Sequence, residues 1–282
     1  MLIPINRDQH SPFKRGLRGI WLTQNDKQFN MSGKTKVEDQ PLVSIITAVL
    51  NGEKHIEQTI SSVLNQSYKN IEYIIIDGGS NDNTINIIKK YEKQIDHWIS
   101  EADEGLYHAI NKGIKLAKGN IIGILHSNDF YFEKSVQYIV DANLSSAEEI
   151  IFHGDIEQTN EKENSKPKRM IPDLSQMHYK QSIFHPTCFV KKSVYEKYGT
   201  YDTQFKIASD YDFLLRCMKQ GVKFQYIPKA ITSYRSGGMS TSYKCDFECY
   251  RIQKKYQIPN PYKYLYRGIK CYIKPFLSKE ND

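Results

Sequence analysis

The chain has 282 residues, 39% hydrophobic and 25% charged, a balance that excludes disordered and fibrous classes and leaves room for a sizeable core. No apolar run approaches the roughly 20 residues that span a bilayer, and no apolar segment followed by a small-residue cleavage site opens the chain. The net charge of +7 admits nucleic acid, an anionic membrane face or a phosphorylated substrate as partner.

Residues 1–40 are polar and carry no sustained period, so they are expected to form a loosely ordered extension. From Leu42 to Val49 the residues are apolar and β-branched, as in a buried strand. Asn51 and Gly52 break that run. His55 to Leu64 has helical apolar spacing, Ile71 to Asp77 is a second buried strand, and Gly78-Gly79 ends it. Thr84 to Tyr91 reads as a helix, His97 to Ile99 as a short strand, and Gly105 to Ala117 as a helix stopped by Lys118-Gly119. Asn120 to Leu125 is another buried strand, ending in His126-Ser127-Asn128-Asp129, and Phe132 to Val140 follows as a helix. This alternation predicts an α/β fold, Rossmann-like, with a mostly parallel central sheet and helices on both faces.

The second half is less regular. Ile150 to Phe152 reads as a strand, Glu157 to Arg169 as a charged surface loop, Tyr211 to Gln220 as a helix and Phe224 to Ile227 as a strand. Ser236 to Ser240 reads as a flexible loop. The chain therefore divides into an extension (1–40), one α/β domain (41–242) and a basic, aromatic-rich, helical tail (243–282). The tail interleaves Lys244, Arg251, Lys254, Lys255, Lys263, Arg267, Lys270, Lys274 and Lys279 with tyrosines. It fits either contact with an anionic membrane surface or a solvated helix packing its tyrosines on the domain. The core domain has no basic stripe, which argues against nucleic acid.

The five cysteines, odd in number and without paired metal-ligand spacing, read as reduced thiols of a cytoplasmic protein. Absent too are a G-x-G-x-x-G turn after the first strand, a Walker A loop and a G-x-S-x-G elbow.

In an open parallel sheet, ligands bind at the carboxyl ends of the strands. Asp77 ends one strand there, where it can bond a base or ribose or else make a plain turn, with Asp77 or Ser80 capping the next helix. Asp129 ends another; it can hold a divalent cation against a diphosphate, or cap a helix. Asp210 can take a proton from an attacking hydroxyl, although Ser209 and Asp212 also have the spacing of a capping box. His185, in an apolar stretch, is expected to be a satisfied core residue.

With these runs in order, the chain from Pro41 to about Ser242 resembles glycosyltransferase family 2, the inverting enzymes with a GT-A fold. The runs are residues 41–47, 74–80 with Asp82 and Thr84, 103–107, 109–113, 117–119, 125–129, 185–189, 209–213 and 235–238. The resemblance is to the type that builds bacterial surface polysaccharide such as capsule or lipopolysaccharide.

It implies a nucleotide pocket lined by Thr47, Ala48, Asn51, Asp77 and Gly78 and walled by Asp103 and Asn111. Ser127 and Asn128 would meet ribose or phosphate, Asp129 a Mn²⁺ or Mg²⁺ ion, and Arg235 with Gly237-Gly238 would close over the donor phosphates or the acceptor. Asp210 would be the general base. The implied donor is a nucleoside-diphosphate sugar, with UDP as the nucleotide, and the acceptor a hydroxyl of a saccharide or lipid-linked saccharide. Close relatives read Asn-Ser-Asp-Asp where this chain reads His126 to Asp129. The amide at Asn128 removes one negative charge and raises the alternative of an inactive nucleotide-sugar-binding module.

Overall fold

The computed structural model describes residues 14–15, 21–22, 29–31, 40–143, 149–159, 166–235 and 242–277. The strands are β1 (Lys14–Arg15), β2 (Trp21–Leu22), β3 (Phe29–Met31), β4 (Val43–Val49), β5 (Ile71–Asp77), β6 (His97–Ser100), β7 (Ile121–Ile124), β8 (Phe130–Tyr131), β9 (Ile150–Thr159), β10 (Lys168–Met170), β11 (Phe189–Lys191) and β12 (Lys223–Arg235). The helices are α1 (Ile56–Leu64), α2 (Thr84–Lys90), α3 (Leu106–Leu116), α4 (Ser135–Asn143), α5 (Lys192–Tyr198), α6 (Ser209–Lys219), α7 (Tyr243–Lys255) and α8 (Tyr262–Leu277).

The main sheet runs β3-β6-β5-β4-β7-β11-β9-β12-β8, with β10 added to β9. Strands β6, β5, β4 and β7 are parallel, as are β9 and β12, while β11 is antiparallel to both its neighbours. This is the α/β architecture with a mostly parallel central sheet that the sequence predicts.

All seven residues of β4 are buried, because helices cover both faces. Ile45 joins a core with Ile56, Ile60 and Ile139 from α1 and α4, whereas Ile46 joins one with Ile110, Leu214 and Ile252 from α3, α6 and α7. The two-residue period of the strand thus divides its side chains between two helical layers. Gly113 lets α3 lie directly on β4, since a Cβ there would overlap Ile46.

Several expectations need correction. The extension is not wholly irregular: β1 pairs β2, and β3 adds an antiparallel edge to β6. Strands of two or three residues are too short to show a period. The loop expected over Glu157 to Arg169 is narrower, because β9 runs to Thr159 and pairs Gln158 with Lys168 and Glu157 with Arg169; residues 160–165 lie outside the described residues. The strand expected to stop at Ile227 continues to Arg235. Pro228 hid the rest, and the register with β9 shifts there, between Ile227 and Ala230. The helix expected from Phe132 begins at Ser135, after the short strand β8. The loop 236–240 lies outside the described residues. The tail is helical as expected, but as two helices, α7 and α8.

Candidate active site

Parallel register brings the strand ends to one edge: Val49 lies opposite Asp77, Asp77 opposite Ser100, and Ile46 opposite Ile124. The loops after β4, β5, β6 and β7 therefore share a rim, as the crevice rule requires.

These loops are stitched to one another. Asn51 takes a left-handed φ of +51°, which asparagine tolerates. Its backbone N–H donates to Ser80 Oγ at 2.7 Å, and its side-chain oxygen accepts from Asn81 N at 2.9 Å. Gly52 N donates to Thr84 Oγ1, Glu53 N to Asp82 and Asn83 N to the Glu53 carboxylate. On the other side, Thr59 Oγ1 donates to the carbonyls of Ser127 and Asp129, at 2.9 and 2.8 Å, which ties α1 to the loop after β7.

Asp77 is fully buried, and its carboxylate accepts from Gly79 N, Ser80 N, Ser80 Oγ and Ser100 Oγ. It orders the turn that carries Gly78 and Gly79, so the turn reading of this residue is realised in its contacts. Thr47 and Ala48 lie inside the sheet rather than on the rim surface, with Thr47 Oγ1 3.1 Å from the hydroxyl of Tyr73. Asn111 spends its side-chain amide on both backbone atoms of Tyr201. Asp103 Oδ1 is held by His108 and Lys112, while its buried Oδ2 has no partner among the described residues. Leu50, which sequence reasoning passed over, stands 62% exposed on the rim, against Gly78. The clue was an apolar residue placed between a finished strand and Asn-Gly.

Asp129 and Arg235 are brought together because β8 pairs with the end of β12. Arg235 N donates to Asp129 Oδ1 at 3.3 Å, and the guanidinium reaches the carbonyl of Asn128 and the side-chain oxygen of Gln58. The guanidinium also lies over the Phe130 ring, 5.7 Å from its centre. Asn128 is exposed beside this contact.

Burial pushes the Asp129 carboxyl up to about 7. Among the described residues its side chain accepts from the Arg235 backbone N–H, and the charge of Arg235 opposes the effect of burial. Among the described residues no three His, Cys, Asp or Glu side chains gather as a ready ligand set. A single nearly buried carboxylate at the strand end fits a Mg²⁺ or Mn²⁺ ion whose other ligands would come from a diphosphate and water.

Asp210 sits on the first turn of α6. The Tyr107 hydroxyl donates to its Oδ1 at 3.0 Å, and Gln181 Nε2 donates to its Oδ2. Tyr107 belongs to the first turn of α3, just beyond β6, so Asp210 stands at the rim edge. Burial raises its pKa, opposed by the bonds from Gln181 and Tyr107.

The capping box expected of Ser209 and Asp212 does not form. Ser209 Oγ donates to the carbonyl of Asp202, and Asp212 faces Lys255 and Tyr256. Glu248 of α7 instead braces the segment that leads into α6, accepting from the backbone N–H groups of Lys206, Ile207 and Ala208. No sequence pattern local to α6 could show that. His185 is buried as expected, bonded to Tyr201 at 2.8 Å, and it also meets His126 of the rim at 3.3 Å. A concavity of about 760 Å³ lined by Pro41, Lys118, Lys191 and Lys192 lies at the opposite edge, where β4 and β7 begin.

The family profile described as "Glycosyl transferase family 2" matches residues 44–204. An uncharacterized glycosyltransferase of Rickettsia typhi is 30% identical over 189 residues, covering 64% of this chain; the chain spans only 59% of that relative's length. A "PGL/p-HBAD biosynthesis glycosyltransferase" of Mycobacterium bovis is 27% identical, covering 72% of this chain and 80% of its own.

Among solved structures, S. aureus TarS 1-349 in complex with UDP-GlcNAc superposes with a TM-score of 0.59 at 18% identity, over 74% of this chain and 64% of that one. The mannosyltransferase PcManGT from Pyrobaculum calidifontis, in complex with GDP-Man and Mn²⁺, gives 0.58 at 14%, over 82% and 69%. The structural likeness shows the GT-A fold, and with the profile matched across more than half its length, the chain belongs to glycosyl transferase family 2.

Proposed function

We propose that this transferase moves a sugar from a nucleoside-diphosphate sugar, UDP being the nucleotide, to a hydroxyl of a saccharide or lipid-linked saccharide, with inversion at the anomeric carbon. The observation that carries the reading is Asp210: a carboxylate at the rim edge, its basicity raised by burial, held by Tyr107 and Gln181. Such a group accepts the acceptor's hydroxyl proton as the new carbon–oxygen bond forms and the diphosphate leaves from the opposite face.

Asp129 would hold the divalent ion, with Arg235 fixing the loop that bears it. The ion, when bound, supplies positive charge to the leaving diphosphate. Asn51, Gly78, Asp103, Ser127 and Asn128 remain the proposed donor contacts. Asp77, Thr47, Ala48 and Asn111 support that pocket from within, given where their side chains are spent. A donor made in the cytoplasm and a lipid-linked acceptor place the reaction at the cytoplasmic membrane face. No described helix is long and apolar enough to cross a membrane.

Thermal melting with nucleoside-diphosphate sugars, with and without Mn²⁺, tests the donor and the ion together. One pair is expected to raise the melting temperature, and Asp129→Asn to remove the part that depends on Mn²⁺. Transfer to a saccharide acceptor should then fall by roughly 10² to 10⁴ in Asp210→Asn while the donor still binds. Donor binding by the wild type without any transfer would return the inactive-module reading.

A further inference from the structure

We infer that α8 is a docking helix for an anionic phospholipid surface, and that it sets the Asp210 side of the molecule against the bilayer. The helix has two faces. Tyr264 and Gly268, one turn apart, are buried, and Gly268 lets α8 approach Asp246 and Phe247 of α7. The Arg267 guanidinium fastens the pair by bonding Asp246.

On the outer face Tyr262, Tyr266, Ile269 and Tyr272 are 62, 71, 46 and 50% exposed. These positions are three or four apart, one continuous stripe along the helix. Tyr262 and Tyr272 lean on Tyr250 and Tyr243 of α7, yet remain half-exposed or more. Exposed Tyr262, Tyr266 and Ile269, on one side of a helix that already has a packed side, offer an apolar surface to a second partner.

Charge selects that partner. From Tyr243 to Leu277 there are eight Lys and Arg against two acids, +6 of the chain's net +7. Both acids are already engaged, Asp246 by Arg267 and Glu248 by backbone N–H groups. Lys263 and Lys270 are exposed, flanking the tyrosines. An apolar, tyrosine-bearing stripe edged by lysines is the composition of a helix lying in an anionic lipid interface.

The inner contacts give the orientation. Tyr264 is buried in the same core as Tyr211, the residue after Asp210. Gln253 of α7 bonds the carbonyl of Tyr179 and the hydroxyl of Tyr211. The pair α7–α8 thus packs on the segments that carry the base, so a surface bound by α8 lies on that side. The docking does not depend on the catalytic reading.

The test is co-sedimentation of the full chain with vesicles of phosphatidylcholine alone and of an equimolar mixture with phosphatidylglycerol. Binding is expected to the mixed vesicles only, weakening as salt rises. Changing Lys263→Gln with Lys270→Gln should lower the affinity about thirtyfold, since each surface lysine near such a membrane contributes about 1 kcal/mol, and Tyr266→Ser with Ile269→Ser should lower it about tenfold or more through lost apolar burial. Unchanged melting temperatures confirm that these exposed positions leave the fold intact. Equal binding to both vesicle types, undiminished binding by both variants, or a stripe buried in a stable dimer that ignores vesicles would overturn the inference. Donor binding is measured on the same samples, so failure here is separable from failure of the catalytic reading.

Discussion

Tyr107 and Asp210, 103 residues apart in the chain, are joined by a 3.0 Å hydrogen bond from the phenol to the carboxylate. The two helices that carry them meet at their first turns. The single phenol hydrogen is shared with the Ile207 carbonyl, 2.9 Å away, so it links both the base and the approach to its helix.

The bond favours the charged carboxylate, in opposition to burial. A base works only when deprotonated, so kcat/KM should rise with pH through the Asp210 pKa. Tyr107→Phe removes a bond of about 1.5 kcal/mol or more to a charged group, so that rising limb should move up by about one pH unit. A profile measured from pH 5 to 9 checks this. An unmoved limb would mean that the limb reports a group other than Asp210, such as Asp129.

Asp210→Asn should separate activity from stability. Because burial raises the pKa of this acid, its charged form costs stability above the ordinary carboxylate range, and the cost disappears as pH falls. The asparagine variant removes that charge and still accepts from Tyr107, while the Gln181 amide can turn to accept. Its melting temperature at pH 7 should equal or exceed that of the wild type, although transfer falls by roughly 10² to 10⁴. A large drop in melting temperature would count against the burial argument.

Glu248→Gln tests support from outside the helix. The carboxylate accepts three consecutive backbone N–H bonds just before α6, and a glutamine has a single acceptor oxygen. Leaving donors unpaired should cost about 1–3 kcal/mol in denaturant unfolding. Because the same turn presents Asp210, kcat should fall as well, with the donor KM little changed.

Gly119→Ala probes the other edge of the sheet. A Cβ there would stand 2.5 Å from Ser44 N and 2.8 Å from the Leu42 carbonyl, backbone atoms that cannot swing away. Destabilisation of about 1–3 kcal/mol is expected from overpacking, read as a lower unfolding midpoint, with the pH profile unchanged.

The parallel half was legible in the sequence because β4, β5 and β7 are buried on both faces and read as unbroken apolar runs. The other half was not. Strand β11 has three residues, β8 has two, and β12 crosses a proline. In the site, Asp77, Asp129 and Asp210 stood out as acids at element ends. The residues that hold them did not: Gln181 lies in an irregular segment and Glu248 on a tail helix, each reaching its partner only through folding. The tail itself was ambiguous until α7 and α8 showed which residues face inward.

The stitched loops around Asn51, Asp77 and Thr59 have a kinetic consequence. A ligand arriving at these three loops meets backbone already held in place by their hydrogen bonds. Association should then follow encounter and charge, single-exponential and first order in ligand, without the saturating lag of a slow rearrangement. Differences in residence time among ligands would come from how fast each one leaves.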